Sequence, residues 1–255
     1  MAYEFDGAFD LTGKTALVTG SAAGIGLAIA KLFAQRGANL VLVDVSPAVT
    51  DLAASLPGGV QRNLPIAADV TDGAAVDAIV ASAVKRFGAI DILVNCAGIV
   101  RLDKAEVATE DDWDRTMAVN LKAPFLLSQR VGRTMIARRS GRIVNIASQA
   151  SIIALDRHVA YCTSKAALVG MTKVLAAEWA QHGIAVNAVS PTVVETELGK
   201  KAWAGEVGEA MKKKIPVGRF GQPEEIAAAV LYLVSGVAGM ITGENLIIDG
   251  GYTIQ

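Results

Sequence analysis

A repeated unit constrains this chain more than any single motif does. Four times an amphipathic stretch ends in glycine and a short apolar run follows at once. Gln35-Arg36-Gly37 leads into residues 39–44, Arg86-Phe87-Gly88 into 90–95, Arg139-Ser140-Gly141 into 143–147, and Gln181-His182-Gly183 into 184–190. Each glycine suits the left-handed C′ position that ends a helix. All four units place Arg or His just before the glycine, where the helix dipole favours a cation. The runs alternate little, as parallel strands covered on both faces require. Helices alternating with such strands imply βαβ units.

Seven strands are expected, near 14–19, 39–44, 62–68, 90–95, 142–148, 184–190 and 245–249. Helices are expected near 24–36, 47–56, 72–87, 109–138, 159–182 and 223–235, with a shorter helical excursion near 198–213. Thr71-Asp72 can cap the helix that follows. Pro223 with Glu224 and Glu225 reads as a helix start. No linker or fixed-period repeat divides the 255 residues, so one domain over 1–255 is the simplest account.

Composition excludes several classes. Apolar residues make up 52% and charged residues 19%, enough for a large core and a subunit interface. The formal net charge of -1 gives no electrostatic case for nucleic acid or an anionic membrane. No apolar run approaches the roughly 20 residues a bilayer needs. The opening Met-Ala-Tyr-Glu-Phe-Asp is acidic and is not a signal peptide. Cys96 and Cys162 form no disulfide framework, which suits a reducing cytoplasm.

The first strand ends in Thr19-Gly20-Ser-Ala-Ala-Gly24-Ile-Gly26 and runs directly into helical pattern. Glycines allow a tight turn and a close approach of backbone to a pyrophosphate, which then faces the helix N-terminus. Asp44 ends the second strand, eighteen residues after Gly26. A carboxylate there can accept both hydroxyls of an adenosine ribose and repels a 2′-phosphate; it can also simply cap the next turn. The glycine turn carries no Arg or Lys. Both facts favour NAD over NADP. Asp69-Val70 and Asn95-Cys-Ala97-Gly98 end the third and fourth strands on the same sheet edge.

A second group lies further on. Ser148 ends the run beginning at Gly141, and Tyr161-Cys-Thr-Ser-Lys165 follows. Tyrosine and lysine four apart share one helix face. An ammonium beside a phenol favours the phenolate, making Tyr161 a possible acid/base. Taken alone the pair is equally an ordinary helix surface. Asn120 sits in a helical pattern with Pro124 four residues on. Proline has no N–H, so the Asn120 carbonyl loses its helical partner and is free to hold a relay water, or the proline simply kinks the helix.

Together these motifs, with Pro191 and Thr196, resemble the short-chain dehydrogenase/reductase family over 11–251. The resemblance implies a single Rossmann-like, doubly wound α/β domain with a seven-stranded parallel sheet. It implies Tyr161 as general base in alcohol oxidation, Ser148 as hydrogen-bond partner of the reacting oxygen, Lys165 as ribose ligand that lowers the phenol pKa, and Asn120 as holder of a relay water. NAD would lie against Gly20, Ser21, Gly24, Ile25, Gly26, Asp44, Asp69, Val70, Asn95, Ala97, Tyr161, Lys165, Pro191, Val194 and Thr196. No metal site is expected. Two residues depart from the family pattern: Thr192 stands where glycine is usual, and Cys96 where asparagine is commoner.

Substrate contacts are expected from Ser148, Gln149, His158, Tyr161, Thr192 and Trp203, with 192–215 as a lid. Polar residues outnumber bulky apolar ones in 149–158, which favours a polyol or ketose-type substrate. In Ile92–Leu102, Ala176-Ala-Glu-Trp-Ala180 and the ending Asp249-Gly-Gly-Tyr-Thr-Ile-Gln255 the chain resembles the family's bacterial polyol and sugar-alcohol dehydrogenases. The alternatives are a 3-oxoacyl-thioester reductase, which should prefer NADPH, and a non-catalytic NAD-binding regulator. The family also implies a homotetramer.

Overall fold

The computed structural model describes residues 7–254, except for 198 and 200–202. Seven parallel strands form one sheet: β1 (Thr15–Thr19), β2 (Asn39–Asp44), β3 (Asn63–Ala67), β4 (Ile92–Asn95), β5 (Gly141–Ile146), β6 (Ile184–Pro191) and β7 (Asn245–Ile248). Their order is β3-β2-β1-β4-β5-β6-β7. All-parallel pairing explains the near-continuous apolar runs, because both faces are covered. Successive residues serve opposite cores. Ala16, Val18, Leu40 and Leu42 pack in one, under α1 (Gly24–Gln35). Leu17, Val41 and Val43 pack in the other, with residues of α4 (Gly73–Phe87). Pro65 breaks no ladder at the centre of the sheet because β3 is an edge strand.

The remaining helices are α2 (Val49–Ser55), α3 (Gly59–Arg62), α5 (Glu110–Met117), α6 (Ala123–Arg138), α7 (Val159–Trp179), α8 (Glu206–Lys212) and α9 (Pro223–Val234). The Asp72 side chain caps α4 by accepting from the Ala74 N–H at 2.8 Å. The Gln222 N–H donates to Glu225 at the start of α9.

Two expectations are corrected. Gly37, Gly88 and Gly183 take left-handed φ values of 87°, 84° and 75°, but before β5 that role falls to Arg139 at 54°. Gly141 is needed for space instead: a Cβ there would lie 2.3 Å from the Met135 sulfur. The single helix expected over 109–138 is interrupted by a π-helical turn, Ala118–Lys122, which carries the fully buried Asn120. Pro124 supplies the reason, since it cannot donate back to the Asn120 carbonyl. The excursion expected near 198–213 is described from Trp203, with α8 as its helix; positions 198 and 200–202 lie outside the described residues.

Candidate active site

Strand order reverses direction between β1 and β4, where open α/β sheets bind ligands. The loops after these strands touch. The Thr19 hydroxyl accepts from the N–H groups of Cys96 and Ala97, at 3.0 and 3.1 Å. Gly20, at φ 65°, has the Ala97 Cα where a Cβ would stand, 2.9 Å away. At Gly26 a Cβ would meet the Gly20 carbonyl oxygen at 2.1 Å, so α1 must begin against the turn with no side chain between. Gly24 packs against Thr196, whose methyl lies 3.0 Å from its would-be Cβ. The loop after β6 therefore closes over the same turn.

This cradle fits a dinucleotide. The Asp44 carboxylate accepts from the N–H groups of Ala22 (3.0 Å) and Ser46 (2.9 Å), tying β2 to the glycine turn. A carboxylate has about four acceptor positions, so it can still take two ribose hydroxyls. Thr196 accepts from the Gly199 N–H at 2.9 Å and keeps its own proton to donate. Asp69 holds Thr71 through one oxygen. Val70, Val194 and Ile25 have side chains packed in the cores, which leaves main-chain groups for a cofactor. Pro191 is likewise buried, at the end of β6.

At two of the expected cofactor residues the side chain turns inward, which leaves the main chain to face a cofactor. The Ser21 hydroxyl is buried and donates to the Val43 carbonyl at 3.3 Å, so it is turned away from the cleft. The Asn95 amide is turned inward too, donating to Asn145 and Ser128 at 2.8 and 3.2 Å.

The residues expected to react gather at the end of β5. Ser148 accepts from the Ala150 N–H at 3.1 Å, and its hydroxyl favours the ionised Tyr161 phenol. Lys165 is 4% exposed, donates to the Ile146 carbonyl at 2.7 Å, and lies 5.7 Å from the Tyr161 ring centroid. Burial brings the Lys165 ammonium down to about 8, opposed by Cys96. Burial pushes the Cys96 thiol up to about 12, so the thiol is neutral and its help to Lys165 is small. Where a lowered phenol was expected, burial raises Tyr161 above its ordinary value, against the opposing pull of Ser148.

Asn120 is held rather than free. Its amide exchanges two hydrogen bonds with the Ile99 backbone, at 2.8 and 2.9 Å, and donates to Ser164 at 3.1 Å. Ser164 in turn donates to the Tyr161 carbonyl at 2.8 Å. With the side chain saturated, the main-chain carbonyl is the Asn120 group left for a relay.

Residues 20–253 match the family model described as enoyl-(acyl carrier protein) reductase. The chain is 58% identical over 251 residues to an NAD-dependent glycerol dehydrogenase of Listeria innocua serovar 6a, covering 98% of each. The chain is a short-chain dehydrogenase/reductase. A D-threitol dehydrogenase of Mycolicibacterium smegmatis is 52% identical, covering 100% of this chain and 98% of that one. The crystal structure of a gluconate 5-dehydrogenase from Burkholderia cenocepacia J2315, in complex with NADP and tartrate, superposes with a TM-score of 0.92. It shares 37% identity over 97% of this chain and 98% of that chain.

On the substrate side of this short-chain dehydrogenase the residues divide. His158 precedes α7, with its ring edge-on to Tyr161 at 6.0 Å and Nδ1 against the Asp156 carbonyl. Gln149 is 3% exposed, and its Oε1 has no partner among the described residues; the same holds for the sealed Thr192 hydroxyl. Trp203 packs on Phe220, at 5.9 Å between ring centroids, within a small cluster that includes Met211, Ile215 and Tyr252. Its indole thus anchors the segment around α8. Residue-by-residue reading missed Ser164, Ile99 and the Ile146 carbonyl. Two of these act through backbone atoms, which leave no mark in side-chain identity.

Proposed function

We propose that this enzyme oxidises a secondary hydroxyl of a small polyol to the ketone with NAD, reversibly. The observation that carries the reading is the convergence of Ser148, Tyr161 and Lys165 at the end of β5. The Ser148 hydroxyl positions the substrate oxygen, and Tyr161 takes its proton. Lys165 and the Asn120 carbonyl, through a water, return that proton to solvent. Bound NAD supplies the acceptor for the hydride of the carbinol carbon, held by the glycine turn, by Asp44 at the ribose and by main-chain groups of 192–196. Asp44 supports NAD over NADP. The glycerol and threitol dehydrogenases among the relatives support a polyol substrate.

Reduction of a 3-oxoacyl thioester is a second reading, favoured by the acyl-carrier wording of the family description. It calls for NADPH, which Asp44 opposes. NADH production from NAD across C3 to C6 polyols, beside acetoacetyl thioester with NADPH, separates the two. Turnover confined to polyols is expected, and turnover of the thioester alone would reject the proposal.

The same reading makes residues 192–215 a substrate lid and the protein a cytoplasmic homotetramer. Tyr232 on α9 and Ile247 on the edge strand β7, both 39% exposed, support association through that edge.

A further inference from the structure

Beneath the reacting groups runs a buried polar chain to which the reaction assigns nothing. Asn95 on β4 donates to Ser128 on α6 (3.2 Å) and to Asn145 on β5 (2.8 Å). Asn145 donates to the Thr172 hydroxyl on α7 at 2.9 Å, and Thr172 donates to the Leu168 carbonyl at 2.8 Å. Ser128, Asn145 and Thr172 are fully buried, and Asn95 is 2% exposed. The chain has one possible direction. The Thr172 proton is committed to Leu168, so Asn145 must present its NH2 to Thr172 and its oxygen to Asn95. Asn95 must then present its own NH2, which leaves its Oδ1 as a sealed acceptor with no partner among the described residues. A buried acceptor without a partner is destabilising, so the arrangement is held against a penalty.

Its place in the molecule suggests what it does. Strand β5 and helix α7 run in opposite directions along one another and meet in two hydrogen-bonded rungs. Asn145 donates to Thr172 and Lys165 donates to the Ile146 carbonyl, with Ser148 just past the end of β5 and Tyr161 in the first turn of α7. Tyr161, Lys165, Leu168 and Thr172 follow the spacing of one helix face. Only the lower rung is a side-chain bond sealed from water that involves no reacting group. Apolar packing alone lets a helix slide or rotate by fractions of an ångström at small cost. A directional bond in a dry site does not.

We propose that Asn145 and Thr172 are positioning residues, whose bond sets the height and rotation of α7 and so places Tyr161 and Lys165 against Ser148. This rests on the roles given above to those three residues. Breaking the rung misplaces the phenol, and a misplacement near 1 Å can lower the rate by about 100-fold. The dinucleotide cradle is built from other loops, so cofactor binding is expected to hold.

The test compares Thr172→Val, Thr172→Ser and Ser128→Ala in the full-length enzyme, reading kcat on a polyol and the Kd for NAD. Valine keeps the shape and removes the hydroxyl. We expect kcat to fall on the order of 10- to 100-fold, with the NAD Kd unchanged and serine restoring the rate. Ser128→Ala, at the far end of the same chain, should cost stability but not kcat. An undiminished rate in Thr172→Val, or an equal fall in Ser128→Ala, overturns the proposal. If the valine variant does not fold, Thr172→Cys, a weaker acceptor, is read by the same criteria. If the wild-type enzyme turns over no polyol, the proposed reaction fails, and crystal structures decide the inference separately. Lys165 displaced from the Ile146 carbonyl in the variant supports it, and an unmoved α7 overturns it.

Discussion

The floor and the cover of the cleft are built differently. On the floor, at the ends of β1, β4 and β5, the buried polar groups are tied into directional bonds, with Asn95 Oδ1 and Gln149 Oε1 left without partners among the described residues. Thr19 holds two N–H groups, Asn120 is bonded to Ile99 and Ser164, and Lys165 to Ile146. On the cover, residues 192–221, three fully packed residues form the cluster around Trp203, while Val207 and Val217 are 63% and 59% exposed. Groups held by directional bonds in a dry site are preorganised for one reaction. A segment with few buried contacts opens at low free-energy cost. On the proposed reading, the chemistry belongs to the floor and the choice of polyol to the cover.

Substitutions can break that division, and the floor should be hit hardest. Tyr161→Phe removes the proton acceptor, and kcat is expected to fall by about 10³-fold or more, with NAD binding nearly intact by titration. Substantial turnover in this variant removes Tyr161 as the acid/base. The wild-type pH profile sharpens the same point. Burial holds the phenol above its ordinary value, so the base form is scarce at neutral pH and grows as pH rises. Oxidation should therefore accelerate toward alkaline pH by up to about tenfold per unit. A flat kcat/KM between about pH 7 and 10 would assign the base elsewhere.

Asp44→Ala should weaken NAD by roughly 10- to 100-fold, the loss of charge-assisted hydrogen bonds of about 1.5–3 kcal/mol, and relax discrimination against NADP. An unchanged NAD-to-NADP ratio places the ribose carboxylate at another residue. The smallest effect is expected on the cover. Trp203→Ala uncovers Phe220 and should raise the polyol KM several-fold, leaving the NAD Kd alone. A change in NAD binding instead would make Trp203 part of the cofactor site.

Much of the floor was legible because its demands fall on residue type. The left-handed ends at Gly37, Gly88 and Gly183 and the contact of Gly26 with the Gly20 carbonyl admit almost only glycine, so they mark the chain visibly. The π-helical turn was hidden because no residue type favours it; only Pro124 hinted at it. The inward turn of Ser21 and Asn95 was hidden as well, since both types serve a phosphate cradle and a core hydrogen bond equally. The direction at Tyr161 was hidden because the sequence shows that Lys165 is near but not how far burial raises the phenol. At Trp203 the sequence shows an aromatic but not the cluster that occupies it.

The division between floor and cover is tested most directly by the ratio of kcat/KM for D-threitol over glycerol, measured in wild type, Thr172→Val and Trp203→Ala. The account predicts that Thr172→Val slows both substrates and keeps the wild-type ratio, whereas Trp203→Ala changes it. A ratio that moves in Thr172→Val and stays fixed in Trp203→Ala would contradict the account.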